Sequence, residues 1–327
     1  MVRASAANMN MCGSRLGPYK IISLLGKGGI GTVYLVKNEK NSSIEALKIL
    51  LPEFTESQEM HERFEREIEN CTLLNHPNIV KLNGHGKSQD ISYYTMEYCN
   101  GGSLKDLLRR NEAGLNPADA CGIIIQVLDG LEYAHNVEVP NMKLADGSYG
   151  KGYGIIHRDI KPENILLQEK ETESALIRGS GDELGRGKVY IAKISDFGLA
   201  KPYRSAGLSG NTRTGSVGGS LSFISRQQLL NYKYSKPEVD IWSAVAVLYF
   251  LLTGNAPRKV EGEKSPLNSI LKNNTIPVRE VNSSVPEALA WIIDRALDDS
   301  ESLFYKKTSE IKKDIVKYSI PARSSVF

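Results

Sequence analysis

The stretch HRDIKPEN, residues 157–164, places an acid, a lysine and an amide within six residues. The carboxylate of Asp159 can accept the proton of an attacking hydroxyl, and Lys161 adds positive charge beside it. Asn164, together with Asp196 at the start of a later Asp-Phe-Gly triplet, supplies the hard oxygen ligands that Mg²⁺ prefers. Phosphoryl transfer depends mostly on positioning and charge neutralisation rather than on covalent help from the protein. These residue types therefore predict phosphoryl-transfer chemistry.

A glycine-rich segment, LGKGGIGTV at residues 25–33, follows the pattern GxGxxGxV. Glycines allow backbone N–H groups to approach phosphate oxygens where a Cβ would obstruct them. A glycine-rich turn with no ligand stays open as an alternative for this segment taken alone. A dinucleotide-binding fold needs a strand, the glycines and then a helix. Here the glycines join two β-patterned runs, Tyr19–Leu25 and Thr32–Val36, which disfavours that fold.

Lys48 follows Ala46 in a third β-patterned run, Ile44–Leu50. A lone lysine in a strand is usually a solvated edge residue, and this alternative stays open. After a glycine loop, however, a cation in this place can reach back to the α and β phosphates of a nucleotide. Glu67 lies in the charge-rich helical pattern Glu56–Leu74 and offers the anionic partner that such a lysine needs.

The rest of the chain predicts a small β-rich half followed by a larger α-rich half. Further strands are predicted at Ile79–Leu82 and Ile91–Met96, and Ser103 can cap the helix that follows the break at residues 100–103. Proline-started helical patterns occupy Pro117–His135, with Asn116 or the preceding loop as the start, Pro237–Leu252 and Pro286–Leu297. Two polar stretches, Val137–Gly154 and Gln168–Lys188, have compositions typical of solvated loops.

Composition excludes several classes of protein. The 327 residues are 41% apolar and 24% charged, which is typical of globular proteins and gives a prior of about two domains. A net charge of +3 gives no basic field for nucleic acid or an anionic membrane. The four cysteines lack metal-site spacing, the start of the chain lacks a signal peptide, and the apolar run Ala244–Leu252 is too short to span a bilayer. Reduced thiols and a cytoplasmic location are expected.

The glycine segment, Lys48, Glu67, HRDIKPEN and the Asp-Phe-Gly triplet follow one another in this order along the chain. With these five signals, the sequence resembles the eukaryotic-like (Hanks-type) serine/threonine protein kinases. The resemblance covers residues 17–318, and Lys161-Pro162 is what the Ser/Thr members carry. It implies an α+β, bilobal protein kinase fold, with a small β-rich N-lobe containing one long helix and a larger, mainly α C-lobe. The implied boundaries are a tail at 1–16, an N-lobe at 17–97, a hinge at 97–102, a C-lobe at 103–318 with insertions at 137–154 and 168–188, and a tail at 319–327. The phrasing of residues 64–80 resembles that of bacterial members.

The resemblance also implies a role for each matching residue. Asp159 corresponds to the catalytic base, Lys48 and Glu67 to the ion pair of the active state, and Met96 to the gatekeeper. Asn164 and Asp196 correspond to the metal ligands, and Lys161 to the catalytic-loop lysine. The implied ATP-binding residues are Leu25, Gly26, Lys27, Gly28, Gly29, Ile30, Gly31, Thr32, Val33, Ala46, Lys48, Met96, Glu97, Cys99 and Leu166. The implied stack of side chains that links the lobes consists of Leu82, Cys71, Phe197 and His157, anchored by Asp240.

The sequence departs from the family pattern in three ways. The usual Ala-Pro-Glu reads Ser-Arg-Gln at residues 225–227, and the arginine that pairs with that glutamate is replaced by Phe304. Stranding one buried charge typically costs about 3–5 kcal/mol, whereas replacing both can be near neutral. We therefore predict a neutral contact between Gln227 and Phe304. The glycine usual after Asp-x-Trp-Ser is Val245, which indicates a repacked core helix.

Arg158 precedes the base, as in kinases that are switched by phosphorylation of the activation segment. The candidate acceptors are Thr212, Thr214 and Ser216, where a phosphate could pair with Arg158 and order the loop. Ser220 occupies the place of a substrate-facing threonine.

The resemblance implies ATP with Mg²⁺ or Mn²⁺ as cofactors and protein Ser/Thr side chains as substrates. It implies no nucleic-acid partner and no membrane segment in this chain, and it implies transient homodimers for trans-autophosphorylation. Two alternatives stay open. The first, motivated by the altered residues 225–227, is a pseudokinase or scaffold that binds nucleotide with little turnover. The second is a small-molecule kinase of related fold, which Lys161-Pro162 and the long activation segment disfavour.

Overall fold

Six strands early in the chain form one antiparallel sheet in the computed structural model, which describes residues 11–27, 31–50, 58–88, 91–111, 114–143, 149–171, 188–197, 221–232, 235–260 and 265–319. The strands are β1 Arg15–Leu16, β2 Tyr19–Lys27, β3 Gly31–Asn38, β4 Ile44–Leu50, β5 Leu82–Ser88 and β6 Ile91–Glu97. They pair in the order β1-β2-β3-β4-β6-β5. This sheet belongs to the first of two compact units, residues 1–76 with 80–100; the second comprises residues 77–79 with 101–327.

Helix α1, Gln58–Leu73, packs on the sheet of the first unit through apolar side chains. Phe64 and Ile68 of this helix meet Leu50 of β4 and Tyr94 of β6 in one buried cluster. The rings of Phe64 and Tyr94 lie 5.4 Å apart. Burial of these side chains is what holds an otherwise charge-rich helix in place. The predicted strands at 19–25, 32–36, 44–50 and 91–96 and the predicted helix are confirmed.

The predicted strand Ile79–Leu82 is wrong, because the strand is β5, which begins only at Leu82. Ile79 makes one isolated parallel bridge to Ile194 instead. The sequence of β5, LNGHGKS, contains no β-branched residue, so its pattern did not indicate a strand. One of its glycines has a steric cause, since a Cβ at Gly86 would lie 2.9 Å from the hydroxyl oxygen of Tyr93.

The second unit is mainly helical. Its helices are α2 Leu104–Arg110, α3 Pro117–Asn136, α4 Arg226–Leu230, α5 Glu238–Thr253, α6 Pro266–Lys272, α7 Val278–Val281, α8 Glu287–Leu297 and α9 Thr308–Ile315. The predicted cap Ser103 is confirmed, because its hydroxyl accepts the amide of Asp106 at the start of α2. Of the two starts left open for α3, the structure has Asn116, whose side chain accepts the amide of Asp119. Each cap satisfies an amide that has no partner within its helix.

Helix α5 is the core of the second unit, as its apolar run predicted. It is buried along almost its whole length, and both α3 and α8 pack against it. Val245, at the position of the usual glycine, is fully buried within α5. None of the helices in the described ranges is long and apolar enough to cross a membrane.

The stretch Val137–Gly154, predicted as a loop, contains a β-hairpin instead. Strands β7, Glu138–Lys143, and β8, Tyr149–Tyr153, pair antiparallel, with a bulge between Val139 and Met142. Backbone hydrogen bonds pair the two strands, and the polar composition of the stretch did not predict them.

A second hairpin overlaps the other stretch that was predicted as a loop. Strands β9, Ile165–Glu171, and β10, Lys188–Ile194, pair in register from Ile165↔Ile194 to Glu171↔Lys188. The two ends of the predicted loop are therefore strands, and residues 172–187 lie outside the described residues.

Two glycines of α3 give a matched test of this packing. A Cβ at Gly130 would lie 2.9 Å from the carbonyl oxygen of Asn78 and 3.0 Å from Ile194, whereas a Cβ at Gly122 would meet nothing within 4 Å. We expect Gly130→Ala to destabilise the protein by about 1–3 kcal/mol through overpacking. Gly122→Ala should stabilise it by up to about 1 kcal/mol, because alanine favours the helix. Urea unfolding measures the free energy of unfolding of each variant. Equal changes in this free energy for the two variants would contradict the packing described.

Candidate active site

Asp159, Lys161 and Asn164 come together on the segment between β8 and β9. The ammonium of Lys161 lies 2.7 Å from Oδ2 of Asp159, and the side chains are only 13% and 19% exposed. The amide Nδ2 of Asn164 donates to the carbonyl oxygen of Asp159 at 2.8 Å and to its Oδ2 at 3.1 Å. The carboxylate is thus held through one oxygen by two donors of its own loop. Such a group can act as a base at a fixed position.

Pairing of β9 with β10 brings Asn164 and Asp196 to the same end of the hairpin. Ile165 faces Ile194, and the amide of Ser195 donates to the carbonyl oxygen of Asn164 at 2.9 Å. Because Nδ2 of Asn164 is used as a donor, its Oδ1 is the atom that can coordinate a cation. Asp196 has a left-handed backbone with φ 60°. Such a conformation costs a non-glycine residue roughly 1–2 kcal/mol and is concentrated at functional sites.

His157 connects this loop to the end of β10. Its Nδ1 accepts the amide of Asp159 at 3.2 Å, so its Nε2 carries the proton that is donated to the carbonyl oxygen of Ser195 at 2.8 Å. The ring packs edge-on against that of Phe197, with centroids 4.8 Å apart. The contact implied between His157 and Phe197 is therefore present within the second unit.

The carboxylate of Asp240, on α5, anchors the loop from below as the resemblance implied. It accepts the amides of His157 at 2.8 Å and Arg158 at 2.7 Å. His135, which the sequence did not single out, lies 2.8 Å from the same carboxylate. Burial alone would raise the pKa of Asp240, but the hydrogen bond from His135, the nearby histidines and the Arg158 amide together lower the pKa below its usual value.

Four of the candidate nucleotide-binding residues of the first unit lie on three adjacent strands. Val33 on β3 faces Lys48 on β4, and Ala46 on β4 faces Met96 on β6. Lys48 is 4% exposed, with its ammonium 5.6 Å from the ring centre of Tyr94. The solvated-edge alternative for this lysine is therefore wrong.

The other members of this set are described only in part. Leu25 and Lys27 are exposed at the end of β2, whereas Gly31, Thr32 and Cys99 are buried. Leu166 belongs to the second unit, where it forms an isolated bridge with Ser103. In the implied stack, Cys71 and Leu82 belong to the first unit.

Several predicted residues lie outside the described part of the structure. These are Gly28, Gly29 and Ile30 of the glycine loop, the side chain of Glu67, and Thr212, Thr214, Ser216 and Ser220. The Lys48–Glu67 ion pair and the phosphorylation sites therefore stay predictions.

Arg158 combines a left-handed backbone with contacts to two residues that lie far away along the chain. Its backbone is left-handed with φ 65°, and its guanidinium carbon lies 5.8 Å from the ring centre of Tyr232. Its carbonyl oxygen accepts a hydrogen bond of 2.6 Å from Nε2 of Gln228, which is 1% exposed. Gln228 carried no signal in the sequence, because its partner lies far away along the chain.

Gln227 and Phe304, which were predicted to contact each other, have other partners. Nε2 of Gln227 donates to the carbonyl oxygen of Asp299 at 2.8 Å. Phe304 is 42% exposed and packs on Tyr305 and under Arg295, whose guanidinium carbon lies 3.8 Å from the ring centre. A backbone hydrogen bond, rather than an aromatic contact, therefore satisfies the amide nitrogen of Gln227.

A family model, the protein kinase domain, matches residues 19–303. The chain belongs to the protein kinase family. This match confirms the family that the glycine segment, HRDIKPEN and the Asp-Phe-Gly triplet indicated.

Relatives of this protein kinase include named bacterial enzymes. The chain is 30% identical over 309 residues to the probable serine/threonine-protein kinase CPE1738 of Clostridium perfringens, covering 94% of this chain and 39% of that protein. It is 31% identical over 306 residues to serine/threonine-protein kinase PrkC of Bacillus subtilis, covering 93% and 41%. The chain thus spans about two fifths of the length of these curated relatives.

Solved structures support the fold. The kinase domain of PknI from Mycobacterium tuberculosis superimposes with a TM-score of 0.61 at 20% identity, covering 97% of this chain and all of that one. A double mutant of the same domain gives a TM-score of 0.64 at 18% identity, covering 98% of this chain. At such identities the likeness shows the fold alone, and it confirms the predicted protein kinase fold with a β-rich and a mainly helical part.

The lowered pKa of Asp240 predicts how stability depends on pH. A carboxylate with a lowered pKa in the folded state stabilises the protein above its unfolded pKa of about 3.9, and this contribution is lost as the pH falls further. We expect Asp240→Asn to cost about 1–3 kcal/mol at pH 7, since it removes a charged acceptor from the backbone amides of His157 and Arg158. Urea unfolding should show that the free energies of unfolding of the variant and the wild type become more similar below about pH 4.

The exposed Glu287 provides the control, because Glu287→Gln changes a side chain that is 87% exposed. The assigned pKa direction would be contradicted if the free energies of unfolding of Asp240→Asn and the wild type differed as much at pH 3 as at pH 7.

Proposed function

We propose that the protein acts as a serine/threonine protein kinase, transferring the γ-phosphoryl group of Mg-ATP to Ser and Thr hydroxyls of protein substrates. The observation that carries this proposal is the loop in which Lys161 and Asn164 both hold the carboxylate of Asp159, at 2.7 and 3.1 Å. The curated relatives with this similarity are named serine/threonine-protein kinases, which supports the same activity here.

In the proposed reaction, Asp159 accepts the proton of the acceptor hydroxyl while Lys161 holds the carboxylate in place. The positive charge of Lys161 also lies where the negative charge of the transferred group develops. The other implied roles stay as proposed: Lys48 and Glu67 for phosphate positioning and, in the first unit, Leu25–Val33, Ala46, Met96, Glu97 and Cys99 for ATP.

The donor set fits a magnesium nucleotide. Among the described residues no group of three or more His, Cys, Asp and Glu could hold a metal ion by itself. Mg²⁺ is commonly held by one or two carboxylates together with substrate phosphates, so Asp196 and Oδ1 of Asn164 suffice as protein ligands. When bound, Mg-ATP supplies the phosphoryl group and a cation that neutralises its charge. Mn²⁺ accepts the same oxygen ligands and is proposed as a substitute.

A cytoplasmic location is part of the proposal. The sequence has only four cysteines, Cys12, Cys71, Cys99 and Cys121, scattered without metal-site spacing, which is typical of proteins in a reducing compartment. ATP-dependent transfer also needs access to the nucleotide of the cell.

Substitution of the proposed base tests the function. We expect Asp159→Asn to lower kcat on a generic protein substrate by about 10²–10⁴. Nucleotide binding should persist, because the amide keeps the shape of the carboxylate. Lys48→Met and Asp196→Asn should nearly abolish transfer. The matched control is Asp129→Asn, the same chemical change at an α3 residue that pairs with Lys312 at the surface.

Normal turnover by all three variants would refute the kinase assignment. A wild-type protein that binds ATP without transferring phosphate would instead support the pseudokinase alternative, which the altered residues 225–227 motivate.

Autophosphorylation of the activation segment is the finer part of the proposal. Incubation with Mg-ATP should add phosphate at Thr212, Thr214 or Ser216, and the Asp159→Asn variant should stay unmodified. Mass spectrometry of the peptide between Leu199 and Ser222 measures this. An initial rate that rises with the square of the protein concentration would indicate transfer within a transient homodimer, and no phosphate in this segment would refute autophosphorylation.

A further inference from the structure

The first turn of α4 is held by one aspartate, Asp299, through both its carboxylate and its backbone. Oδ2 of Asp299 accepts the amide of Arg226 at 2.7 Å, and the carbonyl oxygen of Asp299 accepts Nε2 of Gln227 at 2.8 Å. The amide of Arg226 belongs to the first turn of α4, where amides have no partner inside the helix. Asp299 therefore fixes the position at which α4 begins.

Arg258 completes this arrangement from a third part of the chain. Its Nη2 donates to Oδ1 of Asp299 at 2.7 Å, and the two side chains are each 1% exposed. Its Nη1 donates to the carbonyl oxygen of Ile224 at 3.4 Å, and its guanidinium carbon lies 5.5 Å from the ring centre of Trp242 on α5. The buried pair thus touches both sides of Ser225, the cap of α4.

Gln228 links α4 to the loop that carries Asp159. Its backbone N–H donates to the hydroxyl oxygen of the cap, Ser225, and its side-chain amide donates to the carbonyl oxygen of Arg158. Arg158 directly precedes Asp159 in the chain. A hydrogen-bonded path therefore runs from Asp299 through the first turn of α4 to the residue before the proposed base.

Stability alone does not explain such a pair. A buried ion pair is weak evidence for stability, because the cost of desolvating two charges can exceed their attraction. Within the described part of the chain, Nε of Arg258 is buried without a hydrogen-bond partner, which adds to that cost. What the pair does provide is a single defined position for the residues between Ile224 and Gln228.

We propose that Arg258 and Asp299 are positioning residues, which fix α4 and, through Gln228, the loop of Asp159. They take over the task that the family assigns to a glutamate and an arginine at positions 227 and 304. The inference rests on the proposed kinase function, since a positioning role presupposes turnover.

The test compares Arg258→Met/Asp299→Asn with the exposed control Arg279→Met/Glu287→Gln. The buried double variant removes the two charges of this pair, and with Asp299 it also removes the charge partner of the Arg226 guanidinium, which lies 3.6 Å from Oδ1 of Asp299. The control pair has its groups 3.2 Å apart and lies at the surface of the same unit. We expect the buried double variant to lower kcat by about tenfold to a hundredfold, the scale of small misplacements. Its KM for ATP should stay unchanged, and hydrogen exchange at the Arg226 amide should become faster. The control should change none of these quantities.

Each outcome decides the inference. A folded double variant with normal kcat and normal protection of the Arg226 amide would overturn it, as would a lowered Tm with unchanged kcat per folded molecule. If the double variant does not fold, Asp299→Glu keeps the charge pair but displaces the carboxylate from the Arg226 amide. A lowered kcat of this variant supports the inference, and an unchanged kcat overturns it. Wild-type and Asp159→Asn activities decide the kinase function separately.

Discussion

The carboxylate of Asp240 is the group on which the geometry of the candidate active site depends. It is fully buried on α5 and accepts two consecutive backbone amides, those of His157 and Arg158. Buried amides must find acceptors, so the loop can take only the path that presents both of them to this carboxylate. Because α5 is itself buried along almost its whole length, the loop is tied to a closely packed part of its unit.

That anchor explains how the site tolerates an unfavourable backbone. Arg158 and Asp196 both have left-handed φ angles, 65° and 60°, which non-glycine residues adopt only when neighbouring structure holds them there. For Arg158 the holding contacts are the bond from its amide to Asp240 and the bond from Gln228 to its carbonyl. Asp196 follows Ser195, whose amide and hydroxyl both bond to Asn164. In this way the base and the proposed metal ligands have positions set by buried hydrogen bonds.

The sequence predicted the parts of this site whose contacts are local. Asp159, Lys161 and Asn164 bond within six residues of one another, so their spacing alone predicted that they act together. His135 could not be found in this way, because its partner Asp240 is 105 residues away. The hairpin of β7 and β8 was missed for a related reason. Pairing of its strands depends on backbone hydrogen bonds, which leave no apolar pattern in the residues.

The departure from the family pattern at residues 225–227 shows why a motif and an interaction are different things. The sequence lacks a glutamate at position 227 and an arginine at position 304. We predicted that the residues present there, Gln227 and Phe304, would contact each other and so replace the missing ion pair. The structure instead has a buried arginine and aspartate, Arg258 and Asp299, which hold the same segment from other positions in the chain. The amides in the first turn of α4 require an acceptor, but nothing in that requirement specifies which residue provides it. A motif records one solution to such a constraint, so its absence from a sequence does not show that the constraint is unmet.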